Sequence, residues 1–262
     1  MSNPASNLIK QVARRFGIAI SRYPAPGTLG QDLSDFLSRM NIDVVLDIGA
    51  YAGTYARELR EVGYRGRIIS FEPVPASYER LHRAMHNDPL WSGEPFGLSD
   101  ENRETLINTH NSGDFNSLLT LREEAQVAYS VDPSRSSQIP IQLRRLDAVL
   151  PKLIEGIQSP RIFMKMDTQG HDLSVVKGAS GVLNKIVGLQ SELPAVEIYD
   201  GMPSMSAVLN YLASCGFVPT GFYPVNSVAT SDGLRISPEF DVLFRRFDGR
   251  LAAPRSSQAT AQ

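Results

Sequence analysis

Cysteine is nearly absent from this chain of 262 residues, which contains only Cys215. One thiol cannot form a disulfide within the chain, so a fold stabilised by disulfides is excluded. Cys215 precedes Gly216 at a predicted helix end, and this position indicates a buried structural thiol. A chain without disulfides fits a reducing compartment, and we expect a cytoplasmic protein.

Basic residues are not in excess, because 26 Lys and Arg stand against 28 Asp and Glu, giving a net charge of −2. A protein that follows the phosphates of a nucleic acid needs a basic stripe on its surface, and the sequence has none. Polymeric nucleic acid is therefore not expected as a partner.

Long apolar runs are also missing. No run approaches the roughly 20 residues that span a bilayer, and the N-terminus has no apolar core of a secretory signal. A basic amphipathic stretch over residues 8–20 could contact a membrane that carries a lipid substrate, or could be an accessory helix packed on the domain. We expect an N-terminal helix and linker over 1–30, one domain over 31–250, and a disordered tail over 251–262.

An apolar, β-branched run over residues 42–48 predicts a parallel strand that is buried on both faces. It leads into a turn with Gly49, Ala50, Tyr51 and Gly53, and then into a predicted helix over 54–62. The turn lacks the G-x-G-x-x-G order that brings a pyrophosphate to a helix N-terminus. Tyr51 blocks a pyrophosphate but can line a pocket for a ligand without one, such as S-adenosylmethionine.

Glu72 ends the second predicted strand, 25 residues after Asp47, and Pro73 follows it. An acid at this place accepts hydrogen bonds from ribose hydroxyls in dinucleotide and adenosine sites alike. A nicotinamide-dependent oxidoreductase is therefore an alternative interpretation, although the glycine spacing argues against it.

Strands and helices alternate along the chain as in a doubly wound α/β sheet. The last two predicted strands form an antiparallel pair at the sheet edge. Residues 110–137 are polar and predict either a lid over the substrate or cofactor, or a surface excursion. The strands are predicted over 44–48, 67–71, 95–98 (continued by or paired with 104–108), 162–166, 188–192, 217–223 and 239–246, and the helices over 54–62, 76–87, 173–183 and 205–215.

Four acids stand at the ends of predicted parallel strands: Asp47, Glu72, Asp167 and Glu192. Ligands of open α/β sheets bind at that edge. Four carboxylates there suit a cationic sulfonium, a metal ion or a general base, although each of them singly could also cap a helix.

The chain resembles the FkbM-type family of S-adenosylmethionine-dependent O-methyltransferases. Two departures stand out: the family commonly has Asn at the position of Tyr51, and more often Val-Glu-Gly at Thr168, Gln169 and Gly170. The resemblance covers residues 42–246 and is carried by Leu46-Asp47-Ile48-Gly49-Ala50 with Gly53, Phe71-Glu72-Pro73 with Pro75, Leu98-Ser99-Asp100, Leu146-Asp147, Met164-Lys165-Met166-Asp167-Thr168-Gln169-Gly170 with Lys177-Gly178-Ala179, Gln190-Ser191-Glu192 and Asp241-Val242-Leu243-Phe244.

The resemblance implies a seven-stranded, mostly parallel class I methyltransferase sheet. It also implies methyl transfer to a hydroxyl of a sugar, glycolipid or polyketide-type natural product. Its donor site would comprise Gly49, Ala50, Tyr51 and Gly53 around the methionine end, Asp47 supporting that turn, Glu72 and Pro73 at the ribose, and Leu98, Ser99 and Asp100 at the adenine.

For catalysis, Asp167 could act as base or bind the amino group of the donor. His171 could be the base, because its usual pKa suits proton abstraction near neutrality. Glu192 could orient either residue, or join Asp167 in holding a divalent cation such as magnesium. A noncatalytic binding module with this fold is the other alternative, and a homodimer is the expected oligomer.

Overall fold

The computed structural model describes residues 11–13, 15–17, 27–110 and 113–249. Their strands, in chain order, are β1 Val44–Ile48, β2 Arg67–Phe71, β3 Trp91–Glu94, β4 Gly97–Leu98, β5 Arg103–Thr109, β6 Ser137–Arg144, β7 Ile162–Met166, β8 Ile186–Pro194, β9 Phe217–Pro224, β10 Val228–Ala229, β11 Arg235–Ile236 and β12 Glu239–Arg246. The α-helices are α1 Leu29–Arg39, α2 Thr54–Glu61, α3 Pro75–Met85, α4 Glu123–Ala128, α5 Leu146–Leu153, α6 Asp172–Gly178 and α7 Met205–Ser214.

Seven strands form the central sheet in the order β3-β2-β1-β7-β8-β12-β9. The first five are parallel to one another, whereas β12 runs antiparallel to both β8 and β9. All residues of β1 and β7 are buried, as expected for apolar strands that are covered on both faces. The structure therefore confirms the predicted doubly wound, mostly parallel seven-stranded sheet with an antiparallel edge pair.

Each face of the central sheet is covered by three helices. On one face, α1, α2 and α3 bury Leu33, Leu59 and Leu81 against the sheet. On the other face, α5, α6 and α7 do the same through residues such as Leu150 and Leu212. This layering leaves the carboxyl ends of the parallel strands at one open edge, where ligands of such sheets bind.

The predicted third strand was misplaced. Residues Trp91–Glu94 form the edge strand of the central sheet, whereas Gly97–Leu98 belongs to a separate sheet in the order β4-β6-β5. The sequence Trp-Ser-Gly-Glu has no run of β-branched residues, whereas the residues just after Pro95 are more apolar. The pattern therefore predicts the strand too late in the chain. The predicted segment 104–108 lies in β5, which pairs with β6 and not with the central sheet.

Several further predictions need correction. The polar segment 110–137, for which no regular element was predicted, contains α4 and a 3₁₀ turn at Pro133–Arg135. The helix predicted over 173–183 ends at Gly178, and a separate 3₁₀ turn follows at Leu183–Lys185. Cys215 lies at the end of α7 as predicted, but it is only half-buried.

The predicted N-terminal helix over 8–20 falls largely outside the described residues, and the predicted tail over 251–262 falls wholly outside them. Within the described ranges, no helix is long and apolar enough to cross a membrane.

Candidate functional site

A cavity of about 290 Å³ opens at the carboxyl edge of the central sheet. Its walls come from the turn after β1, the ends of β2, β7 and β8, the start of β12, and the three-stranded sheet. Three of the four strand-end acids line it, namely Glu72, Asp167 and Glu192, whereas Asp47 lies beneath it and is fully buried. The sheet thus brings the predicted acids to one site.

The turn after β1 depends on two glycines. Gly49 has φ +77°, and a Cβ atom there would lie 2.0 Å from the carbonyl oxygen of Asp167. Gly53 has φ +80° and is the N-cap residue of α2. Only glycine fits both the left-handed backbone and the close approach at position 49, so this residue sets how near the turn lies to the end of β7.

Tyr51 also has a positive φ, of +47°, which is uncommon for a residue with a large side chain. Its ring lies under the Arg80 guanidinium, 5.0 Å from it, and against Gly113. Tyr51 lines the cavity. The side chain therefore joins the β1 turn to the segment that begins at Gly113.

Glu72 accepts a hydrogen bond at each carboxylate oxygen from the backbone. Tyr51 N donates to Oε2 at 2.8 Å, and Val74 N donates to Oε1 at 2.9 Å. Burial raises the pKa of Glu72 to about 7, although both N–H groups favour the ionised form. Each oxygen keeps a lone pair for a further donor, so the fixed carboxylate can accept from ribose hydroxyls.

Beneath the site, a polar row crosses four strands of the otherwise apolar sheet. Trp91 Nε1 donates to Ser70 Oγ at 3.0 Å, and Ser70 Oγ donates to Asp47 Oδ2 at 3.1 Å. Lys165 Nζ lies 3.9 Å from Asp47 Oδ1, which is too far for a hydrogen bond. Asp47 thus supports the site from below and does not line the cavity.

Lys165 is the buried cation of the site and is 7 % exposed. Its Nζ donates to Asp167 Oδ2 at 3.1 Å and lies 5.2 Å from the centre of the Tyr55 ring. Burial opposes a charge on Lys165, but the charges of Asp167 and Asp47 prevail and raise its pKa. The lysine therefore stays charged inside the core.

Gln169 links two acids of the site. It has φ +51°, and its Nε2 donates to Asp167 Oδ1 at 2.9 Å and to Glu192 Oε2 at 3.2 Å. Its Oε1 accepts a 2.6 Å hydrogen bond from Tyr199 OH, which fixes the orientation of the amide. Burial works against ionisation of Asp167, but Lys165 and Gln169 hold its pKa below the usual value. One carboxylate thus remains negative at the cavity floor.

His171 lines the cavity, and its Nε2 lies 2.9 Å from Ser99 Oγ. Ser99 Oγ donates its only proton to Asp100 Oδ1 at 3.0 Å, so the histidine Nε2 must be the donor to Ser99. Burial lowers the pKa of His171, which favours a neutral ring. His171 occupies the N-cap position of α6, but its side chain makes no capping hydrogen bond.

The three-stranded sheet supplies the apolar wall of the cavity. It lines the cavity with Leu98 from β4, Ile107 from β5, and Ile141 and Leu143 from β6. Leu98 and Pro73 line the cavity, whereas Ser99 and Asp100 do not. Such an apolar slot can take an aromatic ring.

A second cavity of about 460 Å³ adjoins the first. Ala50 and Tyr55 line it, and Gly49, Tyr51, Asp167 and Glu192 are shared by both cavities. The β1 turn therefore separates two connected spaces, of which the second is bounded by α1 and α2. Gly53 lines neither of them.

Three site residues were not recognised in the sequence analysis: Lys165, Gln169 and Glu239. Lys165 could have been found, because a lone lysine in a strand that is otherwise apolar needs a buried acid beside it. Glu239 begins an antiparallel strand, so the start of β12 lies at the edge where the parallel strands end. A search restricted to the ends of strands misses such a residue.

The predicted magnesium site is not supported. Across the part of the chain that the structure describes, no group of three or more His, Cys, Asp and Glu could hold a metal ion. Asp167 already has the Lys165 ammonium as its cationic partner.

Comparisons with known proteins agree with the geometry. The family model described as "Methyltransferase FkbM domain" matches residues 47–219. The chain is 26% identical over 183 residues to 2-O-methyltransferase NoeI of Sinorhizobium fredii, which covers 65% of this chain and 71% of that protein.

Two solved structures are also similar to this chain. Methyltransferase FkbM from Methylobacillus flagellatus KT has a TM-score of 0.46 at 16% identity, over 78% of this chain and 44% of that chain. This chain therefore spans less than half of that protein's length. TehB from Haemophilus influenzae has a TM-score of 0.45 at 12% identity, over 83% of this chain and 62% of that chain.

Proposed function

This chain belongs to the FkbM methyltransferase family, and we propose that it transfers a methyl group from S-adenosylmethionine to a hydroxyl of a sugar, glycolipid or polyketide-type natural product. The name of the NoeI relative supports a hydroxyl acceptor, because it describes a 2-O-methyltransferase. Asp114, Asn116 and Asn226 line the cavity beside Phe115. Such a mixture of hydrogen-bonding and aromatic groups suits a polyhydroxylated acceptor.

One observation supports the proposal most strongly: two different carboxylates line the same cavity. The first is held in a fixed orientation that suits ribose hydroxyls, and the second stays ionised and so suits a cationic group. Glu72 is fixed by two backbone N–H groups, and Asp167 is ionised by Lys165 and Gln169. The apolar wall at Leu98 lies on the same cavity. These residues fit a nucleoside ligand that carries positive charge at its other end, as S-adenosylmethionine does.

In this proposal the chain acts mainly by positioning. Glu72 holds the ribose, Leu98 and Pro73 hold the adenine, and the turn from Gly49 to Gly53 holds the methionine end. Asp167 attracts the positive part of the donor, and Glu192 lies beside it towards the acceptor. When bound, S-adenosylmethionine supplies a methyl group on a good leaving group. The protein then has to align the donor with the acceptor and to remove one proton.

His171 belongs to the donor end in this proposal, in place of the base suggested by its usual pKa. Its Nε2 is committed to Ser99, and Ser99 is bonded to Asp100 beside the apolar slot. The histidine thus orders the wall that faces the adenine.

The donor site can be tested by isothermal titration calorimetry with S-adenosylmethionine and with its demethylated product, S-adenosylhomocysteine. We expect both to bind wild-type protein, and Glu72→Ala to weaken each about 100-fold, because two hydrogen bonds to a charged acceptor are lost. Glu61→Ala, at the exposed end of α2, is the matched control and should bind as wild type does. Absence of binding to wild-type protein would contradict the donor site.

The acceptor class can be tested with S-adenosylmethionine labelled with tritium in its methyl group. Methyl and octyl glycosides serve as probes, with and without magnesium, and the label is counted in the organic product. Incorporation that Glu72→Ala abolishes would support hydroxyl methylation. Donor binding without transfer to any hydroxyl, together with a protein that copurifies, would instead favour a noncatalytic binding module.

A further inference from the structure

Glu239 has a buried carboxyl group that receives no hydrogen bond from the residues that the structure describes. It begins β12, lines the cavity with Asp167 and Glu192, and is 6 % exposed. Among the described residues, none donates a hydrogen bond to its side chain. The other acids at this end all have one, since Lys165 and Gln169 donate to Asp167, Gln169 to Glu192, and Gln190 to Asp241.

The strand register explains how Glu239 reaches the site. Asp241 of β12 lies opposite Glu192 of β8, so their side chains share one face of the antiparallel pair. Glu239 is two residues before Asp241 and therefore points to that same face. Three acids from two strands thus line up beside the ionised Asp167.

The charged groups that act on Glu239 are all negative. Burial, followed by the charges of Asp167, Asp172 and Asp241, raises the pKa of Glu239 to about 7. Burial and then the charges of Glu239 and Glu192 raise the pKa of Tyr129 to about 12. The Tyr129 hydroxyl is itself buried without a hydrogen-bond partner among the described residues.

We propose that Glu239 accepts the proton of the acceptor hydroxyl, and that the positive charge of the bound donor converts Glu239 to the carboxylate that can do so. This inference rests on the proposed function. As the oxygen–methyl bond forms and the sulfur–methyl bond breaks, the hydroxyl proton passes to Glu239. A cation and a carboxylate are thereby replaced by a neutral thioether and a neutral carboxylic acid.

The acid end of the site is the group formed by Asp167, Glu192, Glu239 and Asp241. The electrostatics favour this assignment because Lys165 is the one cation at the acid end among the described residues. Lys165 offsets Asp167, and nothing among the described residues offsets Glu239. A sulfonium in the cavity would supply the missing positive charge and favour ionisation of Glu239. Once the methyl group has left, the sulfonium charge is gone, and burial and the neighbouring acids again favour protonation of Glu239. Glu239 would therefore be more fully ionised as a base when the methyl donor is present.

The first test measures protons instead of turnover. Calorimetric binding enthalpies at pH 7 in two buffers of different ionisation enthalpy give the number of protons released on binding. Both ligands engage Glu72 alike, but only S-adenosylmethionine is a sulfonium. We expect wild-type protein to release more protons with S-adenosylmethionine than with S-adenosylhomocysteine, and Glu239→Gln to abolish that difference.

Glu155→Gln is the control, because Glu155 is exposed and lies just after α5. It should retain the difference between the two ligands. The proposal is overturned if Glu239→Gln keeps that difference, or if wild-type protein binds both ligands and shows none. If neither ligand binds wild-type protein, the proposed function fails instead, so the two failures are distinct.

The second test is turnover with the methyl or octyl glycoside that wild-type protein methylates fastest. General-base groups contribute about 100-fold or more, so we expect Glu239→Gln to lower kcat by at least that factor. Its Kd for S-adenosylhomocysteine should stay within about 3-fold of wild type. A kcat within about 3-fold of wild type would overturn the assignment. Thermal unfolding of the variant checks that the isosteric change leaves the fold intact.

Discussion

Two glutamates of the same cavity have nearly the same burial and acidity but opposite surroundings. Glu72 and Glu239 are each 6 % exposed, and burial raises the pKa of each to about 7. Glu72 receives two backbone N–H donors, whereas Glu239 receives none among the described residues and faces other acids.

The difference teaches that burial alone does not assign a role. Backbone donors hold Glu72 in one position, so it is suited to binding a ligand in a fixed orientation. Glu239 is held only by its strand and is free to accept a proton, so it is suited to chemistry that changes its charge. Variants at the Glu72 end and at the Glu239 end of the cavity test whether the two ends are separate in this way.

The largest expected effect is that of Lys165→Met, because Lys165 is the cation on which the acid end depends. Removing one partner of a buried ion pair costs about 3 to 5 kcal/mol, since the remaining charge is left uncompensated. We expect the free energy of unfolding at pH 8, measured with urea, to fall by that amount. The loss should be smaller at pH 5, where Asp47 and Asp167 can take up protons.

Lys152→Met in α5 is the matched control for that change, because Lys152 is exposed. It should leave the free energy of unfolding within about 0.5 kcal/mol of wild type. An equally small effect of Lys165→Met would show that the acid end does not depend on its cation.

The second prediction concerns pH. Folded Glu72 and Glu239 hold protons up to about pH 7 that the unfolded chain releases near pH 4.5. The folded state therefore binds more protons in this window, so the free energy of unfolding falls as the pH rises from about 4.5 to 7 and then levels off. We expect Glu72→Gln and Glu239→Gln each to remove about 1 to 3 kcal/mol of this fall.

Urea unfolding at pH 5, 6, 7 and 8 measures these slopes. The two variants should differ in their free energy of unfolding relative to wild type at a given pH. Glu72→Gln places an amide against a backbone N–H and is destabilised at every pH, whereas Glu239→Gln is as stable as wild type at pH 5 and more stable at pH 8. A slope unchanged by Glu239→Gln would show that Glu239 does not titrate in this range.

The third prediction separates His171 from the acid end. His171→Asn removes the donor to Ser99 Oγ, and a neutral hydrogen bond contributes about 1 kcal/mol. We expect S-adenosylmethionine and S-adenosylhomocysteine to lose affinity equally, by about 5-fold to 10-fold in calorimetry, with their difference in proton release retained. A selective loss of proton release with S-adenosylmethionine would return His171 to the role of base.

Much of the central sheet could be predicted from the sequence, because buried parallel strands are continuous apolar runs. The bounds of β1, β2, β7 and β12 match the prediction. The strand β6 was missed, since Ser137–Arg144 contains Pro140 and alternates with polar residues. It pairs with β5 from a distant part of the chain, with Arg103 opposite Leu143, and no local sequence pattern encodes such a pairing.

The site also contains residues that could be predicted from the sequence and residues that could not. The sequence pointed to Glu72, Asp167 and Glu192 because each ends a strand. It did not reveal Lys165, Gln169 and Glu239, whose importance depends on partners in other strands or on strand direction. The hydrogen bond from His171 to Ser99 joins residues 72 positions apart. Side-chain networks of this kind become visible only once the register of the sheet is known.

The smallest expected effect is that of Tyr51→Asn, which tests why the Glu72 end is rigid. The donor to Glu72 is the backbone N–H of residue 51, which asparagine retains. Asparagine accepts the positive φ more readily, whereas the contact with Arg80, of about 0.5 to 1 kcal/mol, is lost. These effects oppose each other, so we expect the free energy of unfolding to change by less than about 1 kcal/mol.

Affinity for S-adenosylhomocysteine should likewise change less than about 3-fold in Tyr51→Asn, because the backbone and not the side chain fixes Glu72. A loss comparable to that of Glu72→Ala would show that the tyrosine ring itself holds the donor. The contrast between the two glutamates would then come from side chains at both ends of the cavity, and the distinction between a backbone-held binding acid and a free acid would no longer hold.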